Sequence, residues 1–453
     1  MHILEKVQQI YKEQYICPFC LGRCFSLLGT QTTNKKRGKA LLLSLLMESH
    51  KNYLSGDETA RENAIKNLKI LAEYAHYAPA QAVLEKEGYD YTIRNPEKKC
   101  YLCNNIFQEL EFYINPILEK IKGIEFHNFL VGTSLDPEIG NKEDRFKAKL
   151  NLLEAESFKS HFNRELGKLL SKTLDKPTEF TYPHLTIICT LGYESFSINL
   201  LIRSLFIYGR YKKLIRGIPQ TKWPCSKCNG KGCEYCNYTG KMYQTSVEEL
   251  ISPEFIKATQ AENSKFHGAG REDIDVRMLG SGRPFILELV NPKIRTLDLA
   301  RLKERVNNMN EVKVKIDELA YSNKDEVIKI KQDAKNTKKT YKALVEADKK
   351  MDKNDFNEKL EQLKEKIEGK IIHQKTPQRV AHRRADKVRK KKIYKISGSF
   401  LKANLFEFSI QTQGGTYIKE LITSDDGRTI PSFSEIFKCS LNCKELDVIN
   451  IDY

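Results

Sequence analysis

The stretch KFHGAGREDIDVRMLGSGRPF, residues 265 to 285, holds the side chains best suited to chemistry. Asp273 and Asp275 stand beside Arg271 and Arg277, and glycines flank this acidic segment on both sides. An arginine within reach keeps a carboxylate ionised at neutral pH, which suits a nucleophile or a base better than a proton donor. The segment is therefore a candidate for a carboxylate held ready in a loop. A solvated charged turn is the competing interpretation.

Cysteines form a second set of residues with chemical potential. The chain has twelve cysteines, and eight of them form four Cys-x-x-Cys pairs: Cys17 and Cys20, Cys100 and Cys103, Cys225 and Cys228, and Cys233 and Cys236. Each pair presents two thiolates from one turn, and two pairs complete a tetrahedral Zn²⁺ site. We predict one structural zinc on the first two pairs and a second on the last two. Redox chemistry is the alternative function for an isolated Cys-x-x-Cys pair, but no thioredoxin-like unit surrounds either of the first two pairs.

Positive charge is the third signal. The net charge of +17 favours a polyanionic partner, with a lysine-rich proteome as the alternative explanation. Residues 375–395 contain ten Lys or Arg against one acid. Cations interleaved with aromatic residues, as in residues 203–216, suit phosphates and unstacked bases. From these two segments we predict RNA contacts for Arg210, Lys213, Arg216, Arg379, Arg383 and Arg384.

Several function classes are not supported. No apolar run approaches the roughly 20 residues that span a bilayer, and the charged N-terminus does not resemble a secretory signal. There is no phosphate-binding Gly-x-x-x-x-Gly-Lys loop, no dinucleotide fingerprint and no nucleophile elbow. We therefore predict a cytoplasmic protein without a membrane partner. The chain has no coiled-coil seam, which favours a monomer.

The elements that must position these residues indicate three parts. Residues 1–105 have helical periodicity, and residues 106–245 have a mixed α/β pattern with strand-like EFHNFLVGTSL and HLTIICTLG. Residues 246–453 combine strand-like RPFILELVNP, EVKVKID and ANLFEFSIQ with helical LARLKERVNNM. Within them, residues 346–395 include a lysine-rich helix with Leu360, Leu363 and Ile367 at helical spacing. We predict that this segment protrudes as a basic arm, and that the whole chain is a multidomain α+β protein.

Three motifs resemble those of a known enzyme family. The tetrad from Gly270 to Asp273 resembles the Gly-Arg-x-Asp motif of pseudouridine synthases, whose aspartate is the essential catalytic residue. KTYKALV (339–345) resembles their Lys-x-Tyr-x-Ala motif, whose tyrosine lies against the target base. GGTYIKELI (414–422) resembles the Gly-Thr-Tyr-Ile-Arg/Lys segment, whose basic residue pairs with the aspartate. Because the three stand in the family's order, chemistry is favoured over a charged turn.

The whole chain resembles the archaeal and eukaryotic tRNA pseudouridine synthases that carry an N-terminal cysteine-rich module. The resemblance implies a zinc-binding helical and THUMP-type module followed by a catalytic domain built on a mixed β-sheet. It also implies isomerisation of uridines 54 and 55 in the T arm of tRNA, without an organic cofactor, and contacts to the T arm and the acceptor region. The second cysteine cluster and the long arm depart from the family pattern.

The resemblance assigns roles to individual residues. Asp273 attacks the target nucleotide, at the base or after a glycal forms on the sugar, and Arg271 and Lys419 keep it ionised. Tyr341 stacks on the uracil. Two residues, Ile418 and Leu446, form the apolar wall that excludes water. Asp275 is the nucleophile if the loop aligns differently. Two other classes of protein are the alternatives. One is a tRNA-binding protein without activity. The other is a THUMP-linked methyltransferase or thiolation enzyme, but this sequence has no glycine-rich loop to bind the cofactor of such an enzyme.

Overall fold

The computed structural model describes residues 2–55, 57–334, 336–382 and 385–452. The chain divides into two compact units, residues 1–203 and residues 204–453. This differs from the predicted three-part division at residues 105 and 245. Residues 204–245 join the second unit because Leu205–Lys213 forms a strand within its large sheet.

The first unit has a single hydrophobic core that runs from Val7 to Leu191 and includes the first two cysteine pairs. The predicted helical and α/β parts therefore share one core. A three-stranded sheet, β1 (Phe129–Leu135), β2 (Leu185–Leu191) and β3 (Phe196–Ile202), has β1 parallel and β3 antiparallel to the central β2. Its helices are α1 (Ile3–Glu13), α2 (Pro18–Cys24), α3 (Asn34–Leu54), α4 (Glu58–Lys69), α5 (Ala78–Lys86), α6 (Ile114–Ile121), α7 (Pro137–Leu150) and α8 (Phe158–Leu174).

The second unit is built on a ten-stranded mixed sheet. In spatial order its strands are β12 (Thr429–Ile430), β9 (Ile371–Gln374), β10 (Arg389–Lys402), β11 (Leu405–Gln413), β8 (Lys338–Ala347), β13 (Leu441–Asp452), β6 (Arg277–Val290), β4 (Leu205–Lys213) and β7 (Val314–Ser322), with β5 (Asn263–Gly268) on β6. The parallel pairing of β13 with β6 makes the sheet mixed. This pairing brings the C-terminal strand beside the end of the acidic loop.

Helices cover the sheet of the second unit. They are α9 (Val247–Thr259), α10 (Leu299–Met309), α11 (Lys324–Asp333), α12 (Lys353–Ile367), α13 (Gln378–Ala381), α14 (Ile418–Thr423) and α15 (Phe433–Phe437). The lysine-rich helix α12 buries Phe356, Leu360, Leu363 and Ile367 in the core of this unit. The predicted protruding arm is therefore wrong over α12, because an apolar stripe at helical spacing packs on the sheet and leaves the charged face to solvent. Among the described helices, none has both the length and the apolar character needed to cross a membrane.

Candidate active site

An open cleft of 970 Å³ in the second unit brings the three motif segments together. Asp273 comes from the loop between β5 and β6, Tyr341 from β8, and Ile418 from the start of α14. Leu446 on β13 completes the set. Segments separated by up to 173 residues thus meet at one site because β8 pairs with β13 and β13 pairs with β6.

Asp273 faces this cleft and forms an ion pair with Arg379. Its side chain is 38% exposed, and its two carboxylate oxygens lie 3.2 and 3.0 Å from the Arg379 guanidinium nitrogens. Arg379 also donates to Glu420 at 2.6 Å. Burial disfavours the charged guanidinium, but hydrogen bonds and charge from Glu420 and Asp273 outweigh it and raise the pKa of Arg379. Arg379 was predicted to contact RNA, and the structure places it against the carboxylate.

Lys419 pairs with the other aspartate. Its Nζ lies 2.6 Å from Asp275 Oδ2, whereas the resemblance assigned it to Asp273. Burial alone would raise the pKa of Asp275, but the hydrogen bond and the charge of Lys419 outweigh burial and lower this pKa. Asp275 is 63% exposed in this pair. The guanidinium of Arg271 lies 4.7 Å from the Trp223 ring centroid. The structure thus pairs Lys419 with Asp275 and Arg379 with Asp273.

A buried network lies beneath the loop. The Glu272 side chain is 0% exposed and accepts hydrogen bonds from the Tyr211 hydroxyl, at 2.8 and 2.9 Å, and from Arg283 Nε at 2.8 Å. Arg283 also donates to the Ala269 carbonyl at 3.0 Å, while Gln220 links the Tyr211 hydroxyl to the Gly270 carbonyl. Glu272 therefore anchors the loop from below and cannot itself reach a substrate.

Three cations predicted to contact RNA have structural partners. Lys213 is fully buried and donates to the carbonyls of Ile218, Asp273 and Ile274 at 3.0 to 3.1 Å. Arg210 is also buried, and it donates to oxygens of Ser281, Gly282 and Ile451.

These burials correct the prediction for Lys213 and Arg210, because a buried cation saturated by carbonyl oxygens cannot grip a phosphate. Arg216 donates to the Asp275 and Leu446 carbonyls at 2.8 and 2.7 Å and to the carboxylates of Glu445 and Asp447. It braces the loop against β13.

Tyr341 and its apolar neighbours form the floor of the cleft. Tyr341 stands opposite Val448 on β13 and Ile410 on β11. Burial raises the pKa of Tyr341 to about 12, so its hydroxyl stays protonated at neutral pH. Ile418 and Leu446, the residues of the predicted apolar wall, are both buried and line the same cleft.

The rest of the lining is strongly cationic. The lining residues of the cleft include nine Lys or Arg and two acids, Asp273 and the buried Glu272. The cations are Arg271, Arg283, Lys331, Lys339, Arg379, Arg389, Lys390, Lys391 and Lys419. Burial, with Arg283 nearby, lowers the pKa of Lys339 to about 7. Sequence reasoning left Lys339 unassigned although it opens the Lys-x-Tyr-x-Ala motif. Arg383 and Arg384 lie outside the described residues.

Both cysteine clusters have the geometry of a metal site. A tetrahedral Zn²⁺ ion with Zn–S bonds of about 2.3 Å separates its sulfurs by about 3.8 Å. The Sγ atoms of Cys17 and Cys103 are 3.7 Å apart, and within the second cluster three Sγ pairs are 3.7 to 3.9 Å apart. All four sulfurs of each cluster lie within 4.8 Å of one another. The predicted pairings are those that the fold brings together.

A mixed sheet gathers in one cationic cleft the three motifs that resemble those of pseudouridine synthases. Comparison with known proteins specifies the family. The family model "Pus10, C-terminal" matches residues 206–452, and "Pus10 THUMP domain, archaeal" matches residues 113–190. The chain belongs to the Pus10 family of tRNA pseudouridine synthases, which are isomerases. The predicted family and α+β fold class are confirmed.

Individual relatives agree with this family. The chain is 44% identical over 447 residues to "tRNA pseudouridine synthase Pus10" of Methanocaldococcus jannaschii, covering 98% of this chain and 93% of the relative. It is 38% identical over 438 residues to the protein of the same name from Methanothrix thermoacetophila, covering 96% and 91%. A solved Cbf5–Nop10–Gar1 complex matches with 15% identity and a TM-score of 0.29 over 54% of this chain and 48% of that chain, a likeness too weak to support an inference.

Proposed function

We propose that this protein converts uridines 54 and 55 in the T arm of tRNA to pseudouridine, with Asp273 as the nucleophile. The observation that carries the proposal is the meeting of Asp273, Tyr341 and the Ile418–Leu446 wall in one cleft lined by cations. The relatives' name, tRNA pseudouridine synthase, supports tRNA as the substrate. The T-arm positions follow from the resemblance of the whole chain.

The reaction breaks the bond from uracil N1 to the ribose C1′ and forms a bond from C5 to C1′, while C5 loses a proton and N1 gains one. Asp273 either adds to the base as a nucleophile, through a bond that breaks again before product is released, or removes the C2′ proton so that uracil leaves a glycal, and C2′ regains that proton after C5 bonds to C1′. Arg379 holds the carboxylate of Asp273 in position through an ion pair at 3.0 Å. No group enters from outside, so no organic cofactor is required.

The remaining residues prepare the base for attack. The target base must leave the RNA stack, which costs a few kcal/mol. Tyr341 offers the base a ring to stack on, and Ile418 and Leu446 keep water from the intermediate. The cationic lining binds the neighbouring phosphates and offsets the cost of flipping.

The eight paired cysteines hold structural Zn²⁺ in this proposal. Cys17, Cys20, Cys100 and Cys103 bind one ion in the first unit, and the second cluster binds another. Four thiolates leave no open position, so the metal fixes local structure and takes no part in the isomerisation. A monomeric state and a cytoplasmic location stay predictions.

The test is a nucleoside analysis, with position mapping, of an unmodified tRNA transcript incubated with wild type, Asp273→Asn or Asp275→Asn. We expect pseudouridine at positions 54 and 55 from wild type and from Asp275→Asn, and none from Asp273→Asn. Loss only in Asp275→Asn would keep the reaction and move the nucleophile to the aspartate that pairs with Lys419. A wild type that binds tRNA without forming pseudouridine would indicate a binding protein.

A further inference from the structure

The second cysteine cluster carries exposed aromatic rings that the proposed mechanism does not use. We call residues 222–243, which surround Cys225, Cys228, Cys233 and Cys236, the knuckle. Tyr235 and Tyr238 in the knuckle are 55% and 73% exposed. The segment contains four lysines and one glutamate. Large exposed rings among cations are unusual for a segment whose only task is to hold a metal.

Tyr238 is held outward by an uncommon backbone conformation. Its φ is +59°, in the left-handed region that disfavours a bulky side chain. Its N–H donates to the Cys233 carbonyl at 2.9 Å, so the metal-binding turn fixes this conformation. Lys227 Nζ lies 4.2 Å from the Tyr235 ring centroid. The turn thus places two rings and a cation on the surface at a local cost in backbone energy, a pattern that accompanies functional sites.

The knuckle is connected to the catalytic loop. Trp223, at its start, packs its ring against Arg271, whose guanidinium lies 4.7 Å away. Arg271 lines the cleft and stands two residues before Asp273. Trp223 also contacts Tyr243 edge to face at 5.6 Å and accepts from the Met242 N–H at 3.0 Å, which closes the two ends of the knuckle. The start of the knuckle is therefore in contact with a residue of the cleft lining.

We propose that the knuckle is a second RNA-contact surface, on which Tyr235 and Tyr238 stack on unpaired bases of the same tRNA that occupies the cleft, while Lys227 and Lys231 contact its phosphates. This deepens the proposed function and rests on it. Stacking on aromatic rings between cations is how proteins hold unstacked bases. RNA is favoured over a protein partner for two reasons. The knuckle is cationic, and among the described residues its exposed large hydrophobic side chains include one aliphatic residue, Met242, besides the two tyrosines.

The test compares Tyr235→Ala/Tyr238→Ala with Tyr235→Phe/Tyr238→Phe, which keeps the rings. Met309→Ala removes an exposed side chain on α10 and serves as a matched control. The Kd for full-length tRNA is measured for each variant in the Asp273→Asn background at fixed salt, and zinc content is measured in parallel. One lost base stack is worth roughly a five- to 150-fold change in Kd. Because the Ala pair removes two rings, we expect it to weaken binding at least about fivefold, with zinc retained and with binding restored by the Phe pair.

Two results would overturn the proposal. A Kd for the Ala pair within twofold of the Met309→Ala control would show that the rings do not contact the tRNA. A loss in the Phe pair equal to that in the Ala pair would show that stacking is not the interaction. Pseudouridine formation by the otherwise wild-type protein is measured on the same tRNA, so failure of the proposed function is seen separately as absence of product.

Discussion

The substitution Glu272→Gln tests whether the buried ion pair under the loop holds the candidate nucleophile in place. The wild-type carboxylate accepts from Tyr211 and from Arg283 while fully buried. Glutamine keeps the shape but removes the charge. The amide NH₂ of glutamine would also face the hydroxyl of Tyr211 or the guanidinium of Arg283, so that two hydrogen-bond donors would point at each other. Arg283 would then be a buried cation without its counter-ion.

The magnitude follows from the burial of both partners. Breaking a buried ion pair by removing one partner costs about 3 to 5 kcal/mol. For a unit of 204–453, one kcal/mol corresponds to a shift in Tm of about 2 to 4 °C, so we expect the second unit to melt roughly 6 to 20 °C lower. The loop that carries Asp273 would shift as well, and a misplacement of about 1 Å lowers kcat by up to about 100-fold.

Thermal unfolding of Glu272→Gln is compared with that of Glu346→Gln, which breaks the exposed ion pair to Lys444. An exposed pair contributes about 0 to 1 kcal/mol, so this control should melt within a few degrees of wild type. The double variant Glu272→Gln/Arg283→Met removes both charges and should recover much of the loss. A Tm for Glu272→Gln within 2 °C of the control would refute the reasoning.

Three further predictions concern charge and metal. Arg379→Gln should lower the single-turnover rate more than Lys419→Met, because Arg379 pairs with Asp273 and Lys419 with Asp275; the opposite order would point to Asp275. Since the pKa of Lys339 is about 7 and RNA favours its protonated form, tRNA binding takes up a proton above pH 7 and should weaken as pH rises. The Kd for tRNA is measured from pH 6 to 8.5 for Asp273→Asn and for Asp273→Asn/Lys339→Met, and it should rise less steeply with pH in the double variant. Elemental analysis should find two zinc ions per chain and one in Cys225→Ser/Cys228→Ser, and an unchanged count would contradict the second site.

Periodic segments were predictable from the sequence because their pattern is local. Strand-like EFHNFLVGTSL contains β1, ANLFEFSIQ covers all but the last two residues of β11, and LARLKERVNNM is α10 throughout. The metal clusters were also predictable, because a Cys-x-x-Cys turn determines its own geometry. The lysine-rich helix α12 was misjudged since its composition is charged, although Leu360, Leu363 and Ile367 already marked the face that packs on the sheet.

The cations could not be sorted in the same way. β4 is covered on both faces, so Arg210 and Lys213 are buried while their sequence pattern resembles that of an exposed strand. Their acceptors are carbonyl oxygens of distant loops, which no local pattern reveals. The partner of Asp273 was missed for the same reason, because Arg379 stands 106 residues away within a run of similar cations.

The direction of each side chain in the acidic loop separates the roles of its three carboxylates. Lys213 holds the carbonyls of Asp273 and Ile274, and Arg216 holds that of Asp275, so the backbone is fixed from below at consecutive residues. With the carbonyls fixed, Glu272 points into the core, and Asp273 points into the cleft toward Arg379. A buried carboxylate cannot attack a base, and an exposed one cannot anchor a loop. In the proposed mechanism, Lys213 and Arg216 therefore act indirectly, because the backbone that they fix directs Asp273 rather than Glu272 into the cleft.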